Sequence, residues 1–207
     1  SEEEAGEATA PPSPNAPGSQ LEAAFSPDGT RMIIVRSEGP DGHADMYVSD
    51  WNGRTWSRPV PFAALNTPSN ERGPAFSRDG RHVYFSSDRA GGTGGYDLYV
   101  ASPGKKGWEV QSLGPGVNSA GDENGPAASS DDSKLYFSSN RSEAREEDIF
   151  FAERLSPGDG KSAPTFREAE AVDHLNSSDH DVQAALTRRG GHVFLASDRD
   201  RTGSKGY

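Results

Sequence analysis

The chain has 207 residues, 31% of them apolar, with 24 Gly, 15 Pro and a formal net charge of −11. So small an apolar share beside so many turn formers excludes a helical bundle and points to short strands joined by turns, and the absence of Cys excludes disulfides, thiolate metal sites and a Cys nucleophile. The acidic balance disfavours nucleic acid and anionic membranes as partners, and no apolar run approaches the ~20 residues of a membrane span.

Residues 1–19 read as a disordered linker. Four Glu among the first seven residues are followed by Ala-Pro-Pro-Ser-Pro-Asn-Ala-Pro. This composition cannot bury a core, and Pro blocks helix and sheet ladders. No signal peptide is visible, so any targeting segment is expected to have been removed.

From residue 20 one pattern repeats, and each copy carries four strand signals. The first is rich in small residues: Glu22–Ser26, Pro74–Ser77, Pro126–Ser129 and Ala184–Thr187. A turn of the Asp-Gly kind follows, with the chemistry of a two-residue hairpin. The second strand is the most apolar: Met32–Val35, Val83–Phe85, Leu135–Phe137 and Val193–Leu195. The third opens on Asp45, Asp97 or Asp148. The fourth starts at Trp56, Trp108 or Phe166 and ends near Pro61, Leu113 and Val172.

The register holds throughout. Phe25 and Phe76 are 51 residues apart, and Asn66, Asn118 and Asn176 are spaced 52 and 58, which places a six-residue insertion within Ser156–Ala163. Four antiparallel strands repeating every 50 residues or so describe the blades of a β-propeller. Neighbouring blades then cover both faces of each sheet, so Tyr84, Phe85, Tyr136 and Phe137 are expected to be buried although they alternate faces. The fold expected is all-β: a propeller of four-stranded antiparallel blades, about three and a half of them over residues 20–207, as part of a larger propeller.

The run Ser77-Arg-Asp-Gly-Arg-His-Val-Tyr-Phe-Ser-Ser-Asp-Arg89, followed by Gly94-Gly-Tyr-Asp-Leu-Tyr-Val100, resembles the WD40-like (PD40) repeat of TolB-like propellers. The resemblance covers all but the linker. It is weaker in copy three, where Asp132 replaces the turn Gly, and in copy four, where Arg189 stands at the turn Asp. A kelch propeller is the nearest rival, but only one copy has the double Gly that it needs. The resemblance implies a non-enzymatic binding or scaffold module of the bacterial cell envelope, periplasmic or extracellular, with a protein or envelope ligand. The alternative it leaves is an accessory propeller of a larger hydrolase, as in prolyl-oligopeptidase-like peptidases. A carbohydrate-active propeller is a third, disfavoured class.

A residue found in every copy serves the repeat, whereas a catalytic residue is needed once. On that rule no residue is read as catalytic, and no metal or cofactor is expected. Gly158-Asp-Gly-Lys-Ser lacks the first Gly and the strand–helix context of a P-loop, and Asp179-His180-Asp181 matches no zinc spacing. The candidate ligand-binding residues lie in the loops that enter each first strand: Glu71, Arg72, Asp122, Glu123, His180 and Asp181, with Asp88-Arg89 close by. Glu71, Glu123 and Asp181 are expected near the mouth of the central channel. There they either attract a cation or a basic peptide or cap their own loops; the residues alone leave both readings open, as they leave the oligomeric state.

Overall fold

The structure is a computed structural model that describes residues 19–37, 43–141, 147–158, 162–177, 180–186 and 193–198; the linker apart from Ser19, Asp179, Arg189 and the last residues lie outside these. All the elements described are strands or turns. The first blade is β1 (Ser19–Phe25), β2 (Arg31–Ser37), β3 (Ala44–Asp50) and β4 (Val60–Pro61), hydrogen-bonded in that order. The second is β5 (Glu71–Phe76), β6 (Val83–Ser87), β7 (Asp97–Gly104) and β8 (Gly107–Ser112), again in order. The third comprises β9 (Glu123–Ala128), β10 (Lys134–Ser139), β11 (Asp148–Ser156) and an outer strand in two pieces, β12 (Thr165–Phe166) and β13 (Glu170–Ala171). β14 (Asp181–Leu186) pairs with β15 (Val193–Ser197) to begin a fourth. Every pairing is antiparallel.

Four local details depart from the expectations. The first strands begin earlier, at Ser19, Glu71, Glu123 and Asp181. Gly73 and Gly125, at φ 58° and 56°, take a left-handed backbone within β5 and β9, and the ladder shifts register there. A Gly-Pro pair reads in sequence as a loop, yet here it is a β-bulge. The turn after each first strand is longer than two residues. Gly29 N–H donates to Ser26 O and Ser26 N–H to Arg31 O, while Asp28 accepts from the Ser26 and Thr30 hydroxyls and the Thr30 amide. Those bonds hold the Asp28 carboxyl down at about 2. Finally, β4 shrinks to two residues because Pro59 and Pro61 have no N–H for the ladder; Trp51 and Trp56 form only an isolated bridge before it.

The core is laid between blades. Val83, Phe85, Tyr99 and Ala101 pack on Ile33, Val35, Met46, Phe62 and Leu65 of the first blade. Tyr84, Leu98 and Val100, one residue out of phase, pack on Leu135, Phe137, Phe150 and Ala152 of the third. Tyr84, Phe85 and Phe137 are fully buried; Tyr136 is half-buried on the side facing the partial fourth blade, beside Ile149 and Phe151.

Candidate functional site

The repeated polar residues form one staple, built in the same way in each blade. Asn118 is buried at the end of the blade-two outer loop; its Nδ2 donates to Leu98 O at 3.0 Å and its Oδ1 accepts Leu98 N–H at 2.8 Å. Asn66 does the same to Met46, and Asn176 to Ile149. Each side chain thus stands in for a strand residue where the fourth strand has ended.

Five residues on, Glu71, Glu123 and Asp181 are the first residues of their strands and are fully buried. Glu71 accepts from the Thr67 amide and hydroxyl, from Ser87 Oγ and from Arg89 at 3.1 Å. Glu123 accepts in the same pattern from Ser119, Ser139 and Arg141, and Asp181 from Ser177. Burial pushes the Glu71 carboxyl up, opposed by these donors. Arg89 also donates to Leu65 O and lies 5.0 and 4.8 Å from the Phe85 and Tyr99 ring centroids. Arg141 repeats this over Phe137 and Phe150 and donates to Val117 O. The guanidinium is held by a carboxylate, a carbonyl and two ring faces at once.

A second staple crosses from one blade to the next. Asn70 Oδ1 accepts Ala44 N–H, Asp122 Oδ1 accepts Tyr96 N–H, and His180 Nδ1 accepts Glu147 N–H at 3.3 Å. Asp88 accepts the Asn70 amide and side chain, and Asn140 engages Asp122 with the two residue types exchanged.

Where the first strands converge, a cavity of about 320 Å³ opens, lined by Glu22, Arg72, Gly73, Ser86, Tyr96, Asp122, Asn124, Gly125, Ser138, Glu147 and Val182. The Arg72 guanidinium is 5.8 Å from the Tyr96 ring centroid. Glu22 reaches across to accept Gly73 N–H of the next blade, and Glu147 accepts from Asn124 Nδ2 at 3.2 Å. Among the eight candidates, the structure brings Arg72 and Asp122 to this cavity. It joins Glu71 to Arg89 inside blade two, and it leaves Asp88 and His180 exposed on the loops. Glu71, Glu123 and Asp181 do not open onto the cavity, because each is drawn inward by the Thr or Ser four residues before it. Among the described residues no three His, Cys, Asp or Glu side chains are placed to hold a metal ion.

Glu22, Tyr96, Asn124 and Glu147 were missed by reasoning from the repeat, which selects what recurs. The signal that finds them is the opposite one. In a shared register Arg72, Asn124 and Val182 differ, as do Ala44, Tyr96 and Glu147.

A Ser–His contact is also present: His82 Nδ1 is 2.8 Å from Ser102 Oγ. It lies buried at the seam of blades two and three, and the ring also hydrogen-bonds the Pro157 backbone. The ring is held within the seam, and neither residue lines the axial cavity. The pair therefore serves the seam and does not form a nucleophile–base site open to substrate.

No family model matches the chain. Among solved structures it is similar to the protein assigned as TolB from Agrobacterium tumefaciens, at 22% identity and TM-score 0.59, over 85% of this chain and 53% of that one. TolB from Acinetobacter baumannii matches at 18% identity and TM-score 0.55, over 90% of this chain and 39% of that one. A structure from a study of two prolyl endopeptidases matches at 17% and 0.56, over 84% and 22%. The chain thus spans about half or less of the length of each of these. What they share with it is the fold, and the chain has the β-propeller architecture of TolB-like proteins.

Proposed function

We propose that the chain is a non-enzymatic binding or scaffold module of the bacterial cell envelope, which engages a protein or envelope ligand through the loop-bearing face around the axial cavity. One observation carries this reading: the residues that recur are spent on staples and on the cavity wall (Gly73 and Gly125, Ser86 and Ser138), whereas the side chains Arg72, Asn124 and Val182, and Tyr96 and Glu147, differ from blade to blade. A rigid frame presenting unrepeated side chains is what a binding face requires. Arg72 over Tyr96 supplies a cation on an aromatic plane, with Glu22, Asp122 and Glu147 around it, so the face suits a ligand of mixed charge. The TolB-like fold supports the envelope setting.

Arg72→Glu combined with Tyr96→Ala tests the proposal. Immobilised protein exposed to a periplasmic extract should lose its captured ligand with this pair, at exposed Arg72 and half-buried Tyr96, while its melting temperature falls by no more than about 4 °C. Capture that survives the pair unchanged would refute it.

A further inference from the structure

The third strand of blade two begins with a carboxylate that the staples leave unfinished. Asp97 is fully buried. Its Oδ2 accepts the Thr93 and Gly94 amides at 2.8 and 3.2 Å, but its Oδ1 has no hydrogen-bond partner. Two residues on, the Tyr99 hydroxyl is buried and equally unpartnered. The glycine-rich loop folds over both. At Gly92 a Cβ would sit 2.0 Å from Asp97 Oδ2 and 3.3 Å from the Tyr99 oxygen, so only glycine lets the backbone run there.

An isolated carboxylate oxygen in such a place is costly unless a positive group or a proton meets it. Arg89 lies over the Tyr99 ring, but its Nε and Nη2 donate to Ser87, Leu65 O and Glu71, and no hydrogen bond runs from it to Asp97. The other charges felt by Asp97 are Glu123 and Asp122, both negative. Burial and these neighbours push the Asp97 carboxyl up, against the loop amides. The phenol recurs in blade one as Tyr47, whereas Phe150 occupies the equivalent place in blade three.

We propose that Asp97 Oδ1 and the Tyr99 hydroxyl hold a hard cation, sodium or calcium, beneath the Gly91–Gly95 loop. Oxygen donors of this kind suit such ions. With one carboxylate, the site would draw its remaining ligands from backbone carbonyls and water. The ion would fasten the loop that carries Tyr96 to the axial cavity, since Gly95 N–H donates to Gly121 O and Glu123 N–H to Tyr96 O.

The test is thermal unfolding of chelator-treated protein at constant ionic strength, in choline chloride with sodium or calcium chloride exchanged in. Wild type should gain roughly 5–10 °C at a hundredfold excess over Kd, with sodium or calcium identified by which salt produces the gain. Tyr99→Phe keeps the ring, as blade three does naturally, and should weaken the cation's apparent affinity at least severalfold. Asp97→Asn should abolish the response. Terbium luminescence, sensitised through Tyr99, gives a second reading should Asp97→Asn fail to fold: emission should appear in wild type and fall in Tyr99→Phe. The proposal is overturned if wild type shows no cation-specific gain. It is also overturned if Tyr99→Phe responds as wild type does, or if Asp97→Asn melts as high as the loaded wild type, which would mean that Asp97 holds a proton.

Discussion

At the scale of single residues, the buried carboxylates of Glu71 and Glu123 are paired with arginines, whereas the Arg31–Asp50 pair lies at the surface. The pair Glu123–Arg141, at 3.2 Å, has a fully buried carboxylate. Burial makes this pair a poor source of net stability but an expensive one to break, because removing one partner strands the other. Glu123→Ala should therefore cost roughly 3–5 kcal/mol in urea unfolding, whereas Arg31→Ala, which breaks an exposed pair with Asp50, should cost at most about 1 kcal/mol. Asp132 shows a different use of a special position. It holds φ at 57° where the other turns have glycine; in return its Oδ1 accepts Arg78 N–H from the neighbouring blade and its Oδ2 faces Arg154 at 3.6 Å. His82 sits in the same seam. Burial pushes its imidazole down, with Arg154 acting in the same direction and Asp79 and Asp132 opposing. A depressed folded value means that the unfolded chain binds the proton first. Stability is then complete above the ordinary histidine range near 6.5 and falls as pH drops below it. Unfolding free energies at pH 7.5 and 5.5 should fall with acid in wild type and fall less in His82→Gln; equal slopes would remove His82 from the cause.

At the scale of elements, most strands were legible because their continuous apolar runs recur from copy to copy and share one register. The inner strands were legible only in part. Gly73-Pro74 and Gly125-Pro126 carry a turn signal, and nothing local says that the backbone continues as a bulged strand. Gly73 approaches Gly125 so closely that a Cβ would meet its amide nitrogen at 3.2 Å, a contact between blades that no single repeat can encode. Likewise the recurring acidic residues at 71, 123 and 181 were visible, but their burial depends on a Ser or Thr four residues earlier and, for Glu71 and Glu123, on an Arg just past the neighbouring strand. Where the sequence left capping and ligand attraction both open, the geometry is that of capping. The Asn staples give the sharpest test of this level. Asn118→Ala strands Leu98 N–H and removes one of the two donors to Leu98 O, which keeps Leu113 N–H, and should cost about 1–3 kcal/mol by the penalty for a stranded polar group. Phe85→Ala, which empties the blade-one to blade-two seam, should cost about 3–5 kcal/mol. Losses below 1 kcal/mol for either, measured in urea, would contradict the packing described.

At the scale of the molecule, the blades follow one another in an arc. β1 touches β5, β5 touches β9 and β9 touches β14; among the described residues β14 does not touch β1. Each blade depends on its neighbours for its core, so unfolding should be cooperative across the three described seams. The arc brings the ends of its first strands together, and the residues that differ between copies meet there. The axial site was therefore legible only in the differences between repeats, and its depth only once the strands converged. The division between repeated residues that hold the frame and unrepeated residues that bind is tested most directly by site-specific photo-crosslinking of the protein in cells of its native host. A photoreactive residue at position 72 should give discrete adducts that disappear when Tyr96→Ala is added, while one at the exposed Gln111 on the outer strand β8 should give none. Equal labelling at both positions, or adducts at 111 alone, would contradict it.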